Sequence, residues 1–163
     1  MKARDIMTAN PACCTPESTA YEAARLMAEC DCGVIPVVES TESMRLVGVV
    51  TDRDLAVRGL AQGKGADVKV RDLMTRTPSC CGPDDDLKHI ERVMAEKQVR
   101  RVPIVDEMER VVGIIAQADL ARAAERNEGV SDREVATVVE RISEPAPGAG
   151  GSFAAGHRPE ARS

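Results

Sequence analysis

Lys2-Ala3-Arg4-Asp5-Ile6-Met7-Thr8 opens the chain, and Lys69-Val70-Arg71-Asp72-Leu73-Met74-Thr75 restates it 67 positions later. The register between the copies then holds without a gap to Val38 and Val105. Pro11, Cys13, Cys14 and Pro16 return as Pro78, Cys80, Cys81 and Pro83, and Pro36 returns as Pro103. Arg25, Met27, Ala28 and Glu29 return as Arg92, Met94, Ala95 and Glu96. Two extra residues enter the first copy around Ser40 to Met44. After them Arg45, Val47, Gly48, Asp54, Leu55 and Ala56 match Arg110, Val112, Gly113, Asp119, Leu120 and Ala121. Self-similarity at a fixed period marks a repeat architecture.

Each copy reads as β-α-β-β-α. A short extended stretch (12–15; 79–81) precedes a helix. Thr19 with Glu22 three residues on has the spacing of a capping box, and Asp86 takes the cap position in the second copy. Ala20, Ala23, Ala24 and Met27 fall on one helical face, as do Leu87, Ile90 and Met94. Apolar strands follow at 34–38 and 46–50, and at 102–105 and 111–115. A helix closes each unit, at 52–61 and 117–126. Gly63 and Gly65 supply helix-stop residues after the first. Neither copy has apolar surface enough for a secure core alone, so the two are expected to pack as a pseudo-twofold pair. The resulting organisation is an α/β (α+β) fold with repeats at 2–63 and 69–127, a further helix at 131–143 and a disordered tail at 144–163, where Pro, Gly, Ala and Ser predominate.

The chain has 163 residues, of which 30% are charged and 1% aromatic, with a net charge of −5. An acidic surface opposes phosphate-backbone binding, and single-strand binders stack bases on aromatic side chains that are nearly missing here. No nucleic-acid partner is expected. No apolar run approaches the roughly 20 residues that span a bilayer, and the first residues carry no apolar signal segment. A cytoplasmic location without a membrane partner is expected, where the six cysteines stay reduced.

The chemistry-bearing motif is Gly48-Val49-Val50-Thr51-Asp52-Arg53-Asp54, a strand running into a helix. Backbone N–H groups at such a helix start favour an anion. Thr51 and Asp54 could address a phosphate oxygen and a sugar diol; they could equally close a capping box on each other. The second copy, Gly113-Ile114-Ile115-Ala116-Gln117-Ala118-Asp119, keeps the carboxylate and loses the hydroxyl.

With the two leaders, the Val34-Ile35-Pro36-Val37-Val38 and Arg101-Val102-Pro103-Ile104-Val105 strands and these two segments, residues 2–126 resemble the cystathionine-β-synthase (CBS) domain family. They are similar to a tandem pair, or Bateman module, and in wording to small stand-alone actinobacterial proteins of the hypoxic-response type. The resemblance implies a non-enzymatic sensor with two clefts between the repeats. Its effector would be an adenine nucleotide: AMP, ADP, ATP or S-adenosylmethionine. Carried over by residue, a first cleft joins Thr51 and Asp54 to Gly82, Arg100, Arg101 and Val102. A second joins Asp119 to Thr15, Val34 and Ile35, and departs from the pattern at Ala116. The first cleft is therefore expected to take phosphorylated nucleotides. No other cofactor is required. A homodimer is expected through the Ala20/Ala23/Ala24 and Leu87/Ile90 stripes, with output through another protein.

The alternative function is a pair that no longer binds nucleotide and acts through metal, thiols or a protein partner. Vicinal Cys13-Cys14 and Cys80-Cys81 point to opposite faces of a strand and make poor chelates. His89 near a helix start and His157 in the tail suggest no cluster, so no metal site is expected. Nor does the sequence offer a nucleophile with an identifiable base or a Gly-rich phosphate loop.

Overall fold

The computed structural model describes residues 1–126, so the helix expected at 131–143 and the tail lie outside the described residues. Helix α1 (Ala3–Ile6) and strand β1 (Thr8–Ala9) form the first leader, followed by α2 (Ala20–Glu29), β2 (Val34–Val38), β3 (Leu46–Thr51) and α3 (Asp52–Asp54). The second leader, a 3₁₀ turn at Val70–Asp72 and β4 (Thr75–Arg76), is followed by α4 (Leu87–Lys97), β5 (Arg101–Val105), β6 (Val111–Ala116) and α5 (Gln117–Arg126).

Local chemistry sets the helix starts. Thr19 Oγ1 accepts from Glu22 N at 3.2 Å while the Glu22 carboxylate accepts from Thr19 N at 2.7 Å. Asp86 caps α4 by accepting from His89 N at 2.8 Å. The helix expected at 52–61 is broken up: α3 passes into a π-helical turn at Leu55–Gly59 and a 3₁₀ turn at Leu60–Gln62. Gly63 ends it in the left-handed region at φ 72°, where a missing Cβ removes the usual penalty.

Among the described residues two three-stranded antiparallel sheets result, ordered β1-β6-β5 and β2-β3-β4. The leaders are therefore exchanged. Thr8 and Ala9 pair with Ile114 and Gly113, while Thr75 and Arg76 pair with Val49 and Gly48. Ala3 N donates to Asp85 O at 2.9 Å and Arg4 N to Pro83 O at 3.1 Å. Their counterparts repeat the docking: Val70 N donates to Ser18 O at 2.8 Å and Arg71 N to Pro16 O at 3.1 Å. Apolar packing follows the exchange. Ala3 is buried with Cys81, Ile90, Met94, Val102, Ile104, Ile115 and Leu120, whereas Val70, Leu73 and Met74 are buried with Cys14, Ala23, Met27, Ile35, Val37 and Val50.

The pseudo-twofold relation between the sheets is visible in one reciprocal pair of bonds. Leu46 N donates to Glu109 O at 3.0 Å and Val111 N to Met44 O at 2.9 Å, on either side of an antiparallel bridge between Arg45 and Arg110. The stripes offered for dimerisation need correction. Ala23 and Ile90 are fully buried in their own cores, because each is the point at which its helix rests on the sheet.

Candidate functional site

Strand β3 ends at Thr51 and turns directly into α3. Thr51 Oγ1 accepts from Asp54 N at 3.0 Å, and Asp54 Oδ2 accepts from Thr51 N at 2.9 Å. The two side chains close a capping box, and Asp54 Oδ1 stands 3.7 Å from Arg58 Nε. At the matching turn Asp119 Oδ2 accepts from Ala116 N at 2.8 Å, and Oδ1 is paired with Arg122. Each carboxylate thus fixes a strand-to-helix turn and keeps one oxygen against an arginine. Both are mostly shielded, with side-chain exposures of 13% and 14%.

A cavity of about 530 Å³ opens at the second of these turns, bringing Asp119 and Arg122 together with Val34, Ile35, Cys32 and Arg101. That volume lies within the roughly 300–1,000 Å³ typical of small-molecule sites. Its wall continues through Pro36 and Ile114, so an apolar surface faces two carboxylates, Asp31 and Asp119, and two guanidiniums. Cys32 Sγ donates to Val34 O at 3.5 Å, and burial raises its thiol above the ordinary range.

Arg101 and Val102, assigned to the first cleft, are placed elsewhere. Arg101 lines the Asp119 cavity, because β5 pairs with β6 and sets Arg101 opposite Ala116, the last residue before α5. Arg100 is exposed and tied to the same turn, its carbonyl accepting from Gln117 N at 2.9 Å. Val102 is fully buried among core side chains, since strand alternation points it away from the face that carries Arg101. Gly82 N donates to Asp85 Oδ2 at 2.8 Å. Thr15, assigned to the second cleft, is not part of the cavity lining and engages Ser18, its hydroxyl 3.3 Å from the Ser18 hydroxyl.

One cluster escaped the sequence reading. Cys81, Asp85 and His89 bring one ligand atom each to within 4.8 Å of one another. The missed signal is their spacing of four and four across a loop and the first turn of α4. Cys81 is buried, and burial with Asp85 nearby pushes its thiol up to about 11.

An antiparallel pair of repeats with exchanged leaders, meeting at carboxylate-braced strand-to-helix turns, defines a tandem regulatory-domain fold. The CBS domain model matches residues 3–59 and 70–126, and the chain belongs to that family. Hypoxic response protein 1 of Mycobacterium tuberculosis is 37% identical over 121 residues, which are 74% of this chain and 82% of the relative. Among solved structures, Hypoxic Response Protein I with two coordinated zinc ions is similar at TM-score 0.68 and 36% identity, over 75% of this chain and 98% of that one. CBSX2 in complex with AMP is similar at TM-score 0.68 and 29% identity, over 77% and 96% of the two chains. The CBS pair of MJ0100, in complex with 5′-methylthioadenosine and S-adenosyl-L-methionine, is similar at 0.68 and 28%, over 76% and 94%. No helix among the described residues is long and apolar enough to cross a membrane.

Proposed function

We propose that this CBS pair is a non-enzymatic regulatory module that binds an adenine nucleotide in the cavity at Asp119. The observation that carries the proposal is the lining of that cavity. Val34, Ile35 and Ile114 offer an apolar wall to a planar base, Asp119 an acceptor for sugar hydroxyls, and Arg101 and Arg122 donors for an anion. Guanidiniums form charge-assisted, often bidentate bonds to phosphate. The AMP and S-adenosylmethionine complexes of the similar pairs support the class of effector. The preference expected for the Thr51/Asp54 cleft rested on the Thr51 hydroxyl, lost at Ala116, and on Arg100 and Arg101; because Arg101 lines the Asp119 cavity, we assign the phosphate to that cavity instead.

Binding would act by differential affinity for two arrangements of the repeats, read out by a partner protein from the cytoplasm. Tyr21, Val57 and Leu60 are large apolar side chains left 58%, 48% and 74% exposed, and they support a homodimer. Isothermal titration with AMP, ATP and adenosine tests the site. A hydrogen bond to a charged group contributes about 1.5–3 kcal/mol, so Arg101→Ala should weaken AMP by about 10- to 150-fold and adenosine much less. Asp119→Ala should weaken both ligands. Loss of AMP binding in Asp54→Ala with Asp119→Ala unchanged would overturn the assignment.

A further inference from the structure

The two copies of the loop before the long helix have the same backbone and different side chains. In the first copy the series is Cys14, Ser18 and Glu22; in the second it is Cys81, Asp85 and His89. The backbone roles coincide. Cys14 N donates to Pro36 O and Cys81 N to Pro103 O, both at 3.1 Å. Ser18 Oγ accepts from Thr15 N at 3.1 Å, and Asp85 Oδ2 accepts from Gly82 N at 2.8 Å. The side chains then part company. Glu22 is consumed by the capping box with Thr19. His89 cannot close such a box, and its imidazole turns to Asp85, with Nε2 3.8 Å from Oδ2.

We propose that Cys81, Asp85 and His89 form a site for one zinc-class divalent cation, with the fourth coordination position open to solvent. Thiolate, carboxylate and imidazole are the ligand types zinc takes, and three protein ligands with one open position is a common zinc arrangement. Ligand atoms around tetrahedral zinc lie about 3.4–3.6 Å apart. The ligand atoms of the cluster lie within 4.8 Å of one another, so a contraction of about 1 Å brings them to that spacing. Cys81 enters from the buried side, whereas Asp85 and His89 keep 38% and 39% side-chain exposure and leave a path for the ion.

Two features oppose the cation. A helix N-terminus disfavours positive charge, and Arg92 Nη2 lies 2.8 Å from His89 Nδ1. Against them stand the Asp85 and Asp86 carboxylates on the same turn, whereas Asp84 is already paired with Lys2 and Arg4. Arg92 is exposed. When a metal takes Nε2, the imidazole proton resides on Nδ1 and the guanidinium withdraws into solvent. The Cys81 proton leaves to water as the metal–sulfur bond forms, so binding releases a proton. The loop that holds the site also receives Ala3 and Arg4 of the first leader; the bound ion would clamp that docking surface.

Titration of the full chain with Co²⁺ under reducing conditions tests the site, followed by absorbance and by competition with Zn²⁺. One Co²⁺ per chain with a thiolate-to-cobalt charge-transfer band is expected. His89→Gln, at a half-exposed position that leaves the core intact, should weaken binding at least tenfold. Arg92→Ala should tighten it, and Cys14→Ser should leave the band in place. Asp85→Asn serves as the second ligand variant should Cys81→Ser fail to fold. Absence of the band, a band unaffected by His89→Gln, or a band lost in Cys14→Ser would each overturn the proposal.

Discussion

The side chain of Met7 occupies the space that a Cβ on Gly113 would need, with Cγ at 2.9 Å and Cβ at 3.2 Å from that position. Met7 belongs to the first leader and Gly113 to β6 of the second repeat, so this contact is where the exchanged strand closes on its host sheet. Gly113→Ala should cost about 1–3 kcal/mol, the usual penalty of overpacking. Because the obstacle is a flexible thioether, Met7→Ala should relieve part of it. The double variant should then be more stable than the sum of the singles by about 0.5–3 kcal/mol, measured by urea unfolding. At the matching Gly48 the nearest atom is the Thr75 carbonyl oxygen, at 2.8 Å. A backbone atom cannot swing aside, so Met74→Ala should give Gly48→Ala no comparable rescue.

The two carboxylate-braced turns differ by one hydroxyl. Thr51→Ala removes the acceptor for Asp54 N and should lower stability by about 1 kcal/mol. Ala116→Thr should raise it by a similar amount, since Asp119 already makes the other half of the box. Thermal melts of the two variants check this. Equal and opposite shifts are expected, and a loss of stability in Ala116→Thr would show that the second turn has no room for the cap.

The buried thiols make alkaline stability asymmetric. Burial pushes Cys13 up to about 11, Cys14 to about 12 and Cys81 to about 11, against an ordinary value of 9.0. Between the ordinary and raised values the folded chain holds protons that the unfolded chain has released. Stability from these groups is complete below pH 9.0 and falls as pH rises through 11 to 12, by the linkage of proton binding to folding. Cys14→Ala should be less stable at neutral pH, with a shallower alkaline decline in its urea midpoint. Brief treatment with a maleimide should label exposed Cys30 and Cys80 and spare buried Cys14 and Cys81, as read by peptide mass mapping.

Local chemistry was legible and tertiary choice was not. The Thr19–Glu22 box and the Asp86 cap can be read from spacing because the atoms that satisfy each other are three residues apart. The break of the 52–61 helix could not be read that way. Arg58 Nη1, within the π-helical turn, donates to the carbonyls of Leu73 and Met74 at 3.0 and 3.2 Å, contacts outside any local window. Left-handed backbone was equally hidden. Asn10 and Thr77, Asp31 and Gln98, Met44 and Glu109 take positive φ in matching pairs, with no glycine to mark them. Sequence similarity carried Arg101 to the Thr51 cleft, whereas strand pairing, which it does not specify, sets Arg101 beside the Asp119 turn. His89 suggested no cluster in the sequence because its approach to Cys81 and Asp85 arises only when the loop folds back.

The exchange of leaders also sets a timetable for biosynthesis. Residues 10–76 contain a whole sheet and its packed apolar cluster, so a nascent chain can complete that half soon after Arg76 leaves the ribosome. Met7 and Ala3, translated before that half, have no surface to bind until Ile104, Gly113 and Ile115 exist. The first leader therefore finds its place only after the second repeat has been made. A fragment cut at the boundary of the sequence repeat would carry one leader it cannot use and lack the one it needs. The packing unit is offset from the duplicated segment by about the length of a leader, and a circular permutant that begins near Asn10 would restore the agreement between order of synthesis and order of packing.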